Sequence, residues 1–333
     1  MKKNISVVIP VKNSESTIGE CIEALNRSNY NNFEIVVVDD NSSDNSIDIA
    51  RSHECKIVKS KGDGGVSAAR NSGAESAESD IILFIDADIT LRGNSLKIIE
   101  DGFLKRDTDA IVGVQSRNLR FKDFYSQFKN LWMIYTYTRF PSYVSLFYTS
   151  IASIKKDVFF KAGGFDINYK MPNVEDTEFG QRLSELGYRV YLERKLEVEH
   201  VKKYNITSIL KTDFYRSDGL VKMVLRRGLK KFFSKNKTSV PSSFMIQLPF
   251  ALGFPVLFLS FLLSKNIACG FTSLLFLVIF LILNLGFLFF LKKENGLAFA
   301  LRGMLFLFID AYWILAGMIY GVMTYYTTGE RYY

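Results

Sequence analysis

Short apolar runs alternate with amphipathic segments over the first two hundred residues. The runs Ile5–Val11 (ISVVIPV), 34–39 (EIVVVD) and 81–85 (IILFI) are rich in β-branched residues, which is typical of buried strands. Between the first two runs, apolar side chains recur at helical spacing, and Thr17 and Glu20 are placed as a capping box for that helix. Further strands are predicted at Lys56–Lys59 and 110–114, and further helices at 66–77, 94–105 and 175–186. Alternating strands and helices predict an α/β fold with a mostly parallel sheet flanked by helices.

The last ninety residues follow a different pattern, with long apolar spans at 244–263, 268–291 and 303–326. About 20 helical residues cross a bilayer core of about 30 Å, so we predict transmembrane helices in preference to buried core helices. Asp310 is the only charged residue within the spans. The loop after the second span carries more Lys and Arg than the loop before it. The positive-inside tendency therefore predicts a cytosolic N-terminal domain and places Tyr333 across the membrane.

The net charge of +8 is concentrated before the apolar spans. Residues 202–237 contain eleven Lys and Arg against two Asp, whereas residues 1–201 are slightly acidic. A basic segment beside apolar spans favours anionic lipid headgroups over nucleic acid. We therefore predict a cytosolic domain at 1–201, a basic juxtamembrane segment at 202–243 and membrane helices at 244–326. The three scattered cysteines and the short first apolar run predict a reducing compartment without a signal peptide.

Two acidic clusters follow predicted strands, at the sheet edge where ligands of such folds bind. Asp86 and Asp88 follow the run at 81–85, and two carboxylates aimed at one place favour a cation such as Mg²⁺ or Mn²⁺ between or beside them. A solvated turn is the alternative. Asp39 and Asp40 end an earlier strand, where a carboxylate can accept hydrogen bonds from a base or ribose, or can act only in helix capping.

Further candidates lie outside these clusters. Arg70 follows a glycine-rich turn at 62–65, where a cation and a helix N-terminus could both face phosphate. Glu175 and Asp176 begin a predicted helix, so one of them can be a general base, although the helix dipole alone also favours acids there. His200 follows a strand-like stretch and either completes a metal site or lies on the surface.

The segment 121–148 is aromatic, with eleven Phe, Tyr and Trp among 28 residues. Aromatic rings favour membrane interfaces and the faces of sugars. We therefore expect an acceptor to enter here, with a second layer of core as the alternative.

In order along the chain, the motifs VVVDDNSSD, GGVSAARNSGA, IDAD, GGF and EDTEFGQRL resemble those of the family 2 glycosyltransferases, over roughly residues 4–230. The resemblance implies the GT-A fold, a nucleotide-sugar donor and a divalent metal, Mg²⁺ or Mn²⁺. It also implies roles for individual residues. Pro10, Val11 and Asp40 would form the pocket for the nucleotide base, and Arg70 would lie along the diphosphate. Asp86 would hold ribose or a metal-bound water, and Asp88 and His200 would bind the metal. Asp176 would be the catalytic base.

The resemblance implies an inverting transferase that moves a sugar, with a UDP-sugar favoured as donor, to a membrane-associated, lipid-linked acceptor in cell-envelope glycan or glycolipid synthesis. The chain lacks the Gln-x-x-Arg-Trp motif of processive members, which argues against long-chain synthesis. Ile89 and Thr90 follow the acidic pair where polyprenyl-phosphate mannose synthases carry Leu-Gln. The alternatives are a polyprenyl-phosphate sugar transferase, an inactive nucleotide-sugar-binding membrane scaffold, or a transporter component with a regulatory domain.

Overall fold

The computed structural model describes residues 4–228 and 242–332. Its N-terminal part is built on one mixed sheet with the strand order β3-β2-β1-β4-β8-β6-β9-β5, and β7 pairs with β9. The strands are β1 Ile5–Val11, β2 Phe33–Asp39, β3 Lys56–Lys59, β4 Ile81–Phe84, β5 Ile89–Leu91, β6 Ala110–Gln115, β7 Tyr143–Val144, β8 Ala152–Lys155 and β9 Val190–His200.

Helices cover this sheet and leave its first strands buried on both faces. They are α1 Ile18–Asn26, α2 Ser46–Ser52, α3 Val66–Ser76, α4 Ser95–Lys105, α5 Phe124–Tyr137, α6 Lys156–Lys161, α7 Glu175–Glu185 and α8 Ile206–Arg227. Six of the seven residues of β1 are buried, which explains why its sequence is a continuous apolar run rather than an alternating one.

Strands β3, β2, β1 and β4 run parallel, so their carboxyl ends meet at one edge of the sheet. The predicted α/β fold is confirmed. Strand β8 is antiparallel to both β4 and β6, and this mixed half could not be predicted from periodicity. The predicted capping box is wrong: Thr17 makes no side-chain cap bond, and Glu20 pairs with Arg120 instead.

The chain continues into α9 Ser242–Ile246, α10 Leu248–Ser264, α11 Ile267–Asn295 and α12 Leu297–Thr327. Within the described residues there are three helices long and apolar enough to cross a membrane, Phe244–Ser264, Ile267–Asn295 and Leu297–Thr327. The three predicted apolar helices are therefore present, with bounds slightly longer than the sequence pattern indicated.

The aromatic segment joins the two parts of the molecule. The Phe128 ring on α5 lies 5.7 Å from the ring of Phe287 on α11 and 4.9 Å from that of Phe306 on α12. Trp132 packs 5.5 Å from Phe244, beside α10. Much of the segment is therefore core between the domain and the apolar helices, as the second of the two interpretations above proposed.

Helices α10 and α11 form a hairpin that leaves the domain and returns to it. Its base contacts α5 through Phe287 on α11, and Phe244 on the preceding helix α9 does the same. Apolar side chains near its tip, such as Leu263 and Phe271, are 79% and 71% exposed. A helix of 21 residues is about 31 Å long, which matches the hydrocarbon thickness of a bilayer. The exposed apolar tip is the part of the hairpin suited to lipid.

Helix α12 lies along the domain instead of leaving it. It packs on α8, and its small residues make the close approach possible: a Cβ on Gly317 would stand 2.1 Å from the Phe214 carbonyl oxygen. Beyond the helix, the Tyr332 ring lies 5.2 Å from that of Tyr169, and the Arg226 guanidinium lies 3.7 Å from the Tyr332 centroid.

These contacts do not fit the predicted position of the C-terminus across the membrane from the domain. Tyr332 touches the N-terminal domain, so we expect the two to lie on the same side of a membrane. The charge asymmetry of the loops could not show this, because it does not distinguish a crossing helix from one that lies along a domain.

The predicted domain boundary at residue 201 does not coincide with the end of the site-forming part. Helix α8 lies beyond it and contributes Arg216 to the same crevice as the acidic clusters. Part of the predicted basic juxtamembrane segment, residues 229–241, lies outside the described residues.

Candidate active site

A crevice of about 910 Å³ opens at the carboxyl ends of β1 and β4 and continues between α5 and α8. It is lined by all the residues to which the family resemblance gave roles, namely Pro10, Val11, Asp40, Arg70, Asp86, Asp88, Asp176 and His200. Residues that are up to 190 positions apart in the chain are thus brought together, because parallel strands end at one edge of the sheet.

One end of the crevice is formed by β1 and the glycine-rich turn. The buried carboxylate of Asp40 accepts a hydrogen bond from the Gly65 amide at 2.7 Å and lies 3.8 Å from the Lys12 ammonium. Gly64 has a φ of +75°, and a Cβ at this position would stand 2.6 Å from the Asp40 Oδ1. The turn therefore requires glycine so that the backbone can approach and hold this carboxylate.

Arg70 lies at the floor of the crevice between two carboxylates. Its Nη2 lies 3.0 Å from the Asp86 Oδ1 and its Nη1 lies 2.7 Å from the Glu175 Oε1, with the Arg70 side chain only 3% exposed. The Ser150 hydroxyl donates to the second oxygen of Asp86 at 2.9 Å. Charge-assisted bonds of this kind fix the Asp86 carboxylate in one orientation.

Asp88 faces His200 across the junction of β5 and β9. The His200 Nε2 lies 2.9 Å from the Asp88 Oδ2, and the pairing of Ile89 with His200 in the sheet sets this distance. Burial raises the pKa of Asp88, but the charge and hydrogen bond of His200 outweigh it and hold that pKa below its ordinary value. The structure therefore brings His200 beside Asp88, and its role as a metal ligand stays a prediction.

The described residues include no cluster of three or more His, Cys, Asp or Glu that could hold a metal. The Asp88–His200 pair still fits a divalent cation that takes its other ligands from water and from a substrate diphosphate, as Mg²⁺ commonly does. The residues present therefore fit a substrate-shared metal better than an all-protein cage.

Asp176 is buried at the start of α7 and lines the crevice. Its Oδ1 accepts hydrogen bonds from the Thr177 amide at 2.5 Å and the Thr177 hydroxyl at 3.1 Å. Burial, with the nearby charge of Glu175, raises the pKa of Asp176 to about 6, although Arg216 and Arg70 oppose the change. The position at a helix start suggested a carboxylate held ionised by the dipole, but burial dominates here.

Several lining residues were not identified from the sequence. Arg216 interacts electrostatically with Asp176, and Lys129, Lys170 and Ser150 also line the crevice. Arg216 lies in a stretch that does not match the Gln-x-x-Arg-Trp motif, so no motif marks it. Lys129 lies within the aromatic segment, whose pattern predicts roles only for its rings.

The sheet order, the crevice at the strand ends and the acidic pair after β4 define an α/β domain of the GT-A class. A mannosyltransferase structure from Pyrobaculum calidifontis, in complex with GDP-Man and Mn²⁺, superposes with a TM-score of 0.61 at 15% identity. The match covers 97% of this chain and 88% of that one. At this identity the likeness shows the fold, including the apolar helices that follow the sheet.

Residues 6–165 match the family model described as Glycosyl transferase family 2, so this part of the chain is a domain of that family. Glycosyltransferase GlyG of Streptococcus pneumoniae is 30% identical over 118 residues, which are 34% of this chain and 39% of that protein. Poly(ribitol-phosphate) beta-glucosyltransferase of Bacillus spizizenii is 39% identical over 92 residues, 25% of this chain and 14% of that protein. The chain thus matches well under half of the length of these relatives.

Proposed function

We propose that this chain is an inverting, metal-dependent glycosyltransferase that moves a sugar from a nucleotide-sugar to a membrane-associated, lipid-linked acceptor. The observation that carries the proposal is one crevice lined at once by Asp40, by the Asp88–His200 pair and by Asp176. Such a transfer needs a group that recognises the nucleotide base, a pair of ligands for one cation, and a carboxylate of raised pKa that can act as general base. We favour a UDP-sugar as donor. The GDP-Man in the Pyrobaculum calidifontis structure is bound by that protein and does not identify the donor of this one.

The proposed reaction is a single displacement. The acceptor hydroxyl oxygen forms a bond to the sugar's anomeric carbon as the bond from that carbon to the nucleoside diphosphate breaks. Asp176 takes the hydroxyl proton, and a carboxylate with a pKa near 6 is ionised at neutral pH yet a stronger base than an ordinary Asp. Asp88 and His200 would hold Mg²⁺ or Mn²⁺, which neutralises charge developing on the departing diphosphate.

The other residues hold this arrangement. Arg70 orients Asp86 and Glu175 and, from the crevice floor, adds positive charge where the diphosphate would lie. Pro10 and Val11 would line the base pocket beside Asp40. The apolar hairpin supports membrane attachment, and the Lys and Arg of the loop at 292–302 support a catalytic domain in the cytosol.

The test is a thermal-shift screen of nucleotide-sugars with the purified full-length chain, with and without Mn²⁺. A donor that binds the folded state raises the melting temperature in proportion to the logarithm of its concentration. We expect one nucleotide-sugar to give a metal-dependent rise. The same donor should then release free nucleoside diphosphate when membrane lipid extract is added. A shift without release under any acceptor mixture would favour the inactive scaffold.

A further inference from the structure

A second cavity, of about 370 Å³, lies between the N-terminal domain and the apolar helices. Helices α5, α8, α10 and α12 form its walls. Most of its lining side chains are apolar, for example Trp132, Leu220, Val224, Leu248 and Ile314. A concave apolar space of this size is typical of a ligand site.

This apolar cavity adjoins the active-site crevice, with which it shares three lining residues. Lys129, Met133 and Arg216 line both spaces. Arg216 also interacts electrostatically with Asp176, the proposed base. One molecule can therefore place a polar end beside Asp176 and an apolar end between the helices.

The charges around this connection favour a negatively charged group. Lys129 and Arg216 lie at the connection itself, and Lys202 and Lys211 line the crevice nearby. Asp213 pairs with Lys129 at 2.5 Å, and Asp213 and Asp176 both interact electrostatically with Arg216, so Lys202 and Lys211 provide the further positive charge on the crevice side. Cations at the boundary between a hydrocarbon-lined cavity and a polar crevice match the position of a phosphoryl group in an amphiphile.

We propose that the apolar cavity holds the hydrocarbon tail of the acceptor, and that the acceptor is a lipid in which a phosphoryl group links this tail to a hydroxyl-bearing head. The inference rests on the proposed transferase function. The phosphoryl group lies against Arg216 and Lys211, and the head hydroxyl reaches Asp176. That hydroxyl oxygen forms the new bond to the sugar, its proton passes to Asp176, and the nucleoside diphosphate leaves with the electron pair of the broken bond.

Trp132 provides a direct probe of this cavity. The chain contains two tryptophans, and Trp313 does not line the cavity, so Trp313→Phe leaves Trp132 as the only indole. Lysophosphatidylglycerol with a dibrominated stearoyl chain is titrated into the full-length protein in detergent, because bromine quenches tryptophan fluorescence on contact. Monoacylglycerol with the same brominated chain has the tail and hydroxyls but lacks the phosphoryl group. We expect saturable quenching by both and at least fivefold tighter binding of the phosphoryl compound.

Matched substitutions locate the tail and the phosphoryl group. Ile314→Phe fills the cavity and should weaken quenching by both compounds, whereas Ile319→Phe, on an exposed face of the same helix, should not. Lys211→Gln should reduce the preference for the phosphoryl compound, and Lys203→Gln should leave it intact. Val221→Phe fills the cavity from the opposite wall and replaces Ile314→Phe if that variant does not fold.

The outcomes separate this inference from the proposed function. Unsaturable quenching of Trp132 by either compound, in a protein that still shows the metal-dependent donor shift, would overturn the tail site while leaving the transferase intact. Equal affinity for the two compounds would overturn the phosphoryl assignment. If the wild-type chain shows no donor shift at all, the proposed function fails and the inference fails with it.

Discussion

Nη1 of Arg70 lies 2.7 Å from Oε1 of Glu175, and both side chains are only 3% exposed. The second oxygen of Glu175 accepts the Asn173 amide at 2.7 Å. Both Glu175 oxygens are therefore engaged in holding the site together, while its neighbour Asp176 lies beside Arg216. These adjacent acids at a helix start therefore lie in different environments. Glu175 is a structural carboxylate, whereas Asp176 is a candidate base.

Replacing Asp88 with Asn should abolish metal-dependent transfer while the protein still folds. The amide keeps the size of the side chain but removes the negative charge that pairs with His200 at 2.9 Å and would hold the cation. Transfer at several Mn²⁺ concentrations measures this, with the melting temperature as the control for folding. Near-normal turnover of the variant with Mn²⁺ or Mg²⁺ would contradict the metal assignment.

Replacing Asp40 with Ala should raise the KM for the donor much more than it lowers kcat. A contact to the nucleotide base is made equally in the ground state and the transition state, so its loss weakens binding without slowing the chemical step. Steady-state kinetics over a wide donor range provide the measurement. Asp40 also accepts the Gly65 amide, so the melting temperature of the unliganded variant must be compared as well. A large fall in kcat at unchanged KM is the contrary result.

The C-terminus should lie on the same side of the membrane as the N-terminal domain. Its contacts with Tyr169 and Arg226 leave no room for a membrane between them. A reporter fused after Tyr333 should score as cytosolic, as should one fused to the N-terminus. A reporter inserted at Lys265, at the hairpin tip, should score as external and serves as the control. A reporter at Tyr333 that lies outside the cell would instead support the topology with three membrane crossings.

Transfer should lose activity as the pH falls through about 6, because the raised pKa of Asp176 means that it becomes protonated there. The sign follows from its role: a general base must be deprotonated, so the rate rises with pH through that pKa. If Asp176 had the ordinary Asp pKa of 3.8, the enzyme would keep nearly full activity down to pH 5. The measurement is the profile of kcat from pH 5 to 8. As a control against irreversible unfolding, enzyme held at pH 5 should regain full activity at pH 7.5.

The fold and the site were predictable from sequence to different extents. The positions of Asp40 and Asp86 just beyond β2 and β4 followed from apolar runs, because buried parallel strands have a simple pattern and place their following residues at one edge. Arg70 bonds to Glu175, which is 105 positions away in the chain, and Arg216 interacts with Asp176 in a buried site. Local sequence patterns encode neither contact. The path of α12 was equally hidden, since an apolar helix against a domain and one in lipid have similar compositions.

Asp176→Asn should separate binding from chemistry. The amide keeps the size and polarity of the side chain and can still accept hydrogen bonds from Thr177, but it cannot take up a proton. Donor and metal should bind with near-normal affinity, whereas transfer should fall by roughly two to four orders of magnitude, the usual effect of losing a general base.

Glu175→Gln is the matched comparison, with the same change from carboxylate to amide one residue away. It removes the negative charge opposite the buried Arg70, so we expect a lower melting temperature and weaker donor binding with a smaller loss of kcat. Single-turnover transfer at saturating donor, together with thermal shifts for both variants, distinguishes the roles. If Glu175→Gln is inactive with normal stability while Asp176→Asn turns over, the two carboxylates have the opposite roles; if both remain active, the base lies elsewhere in the crevice.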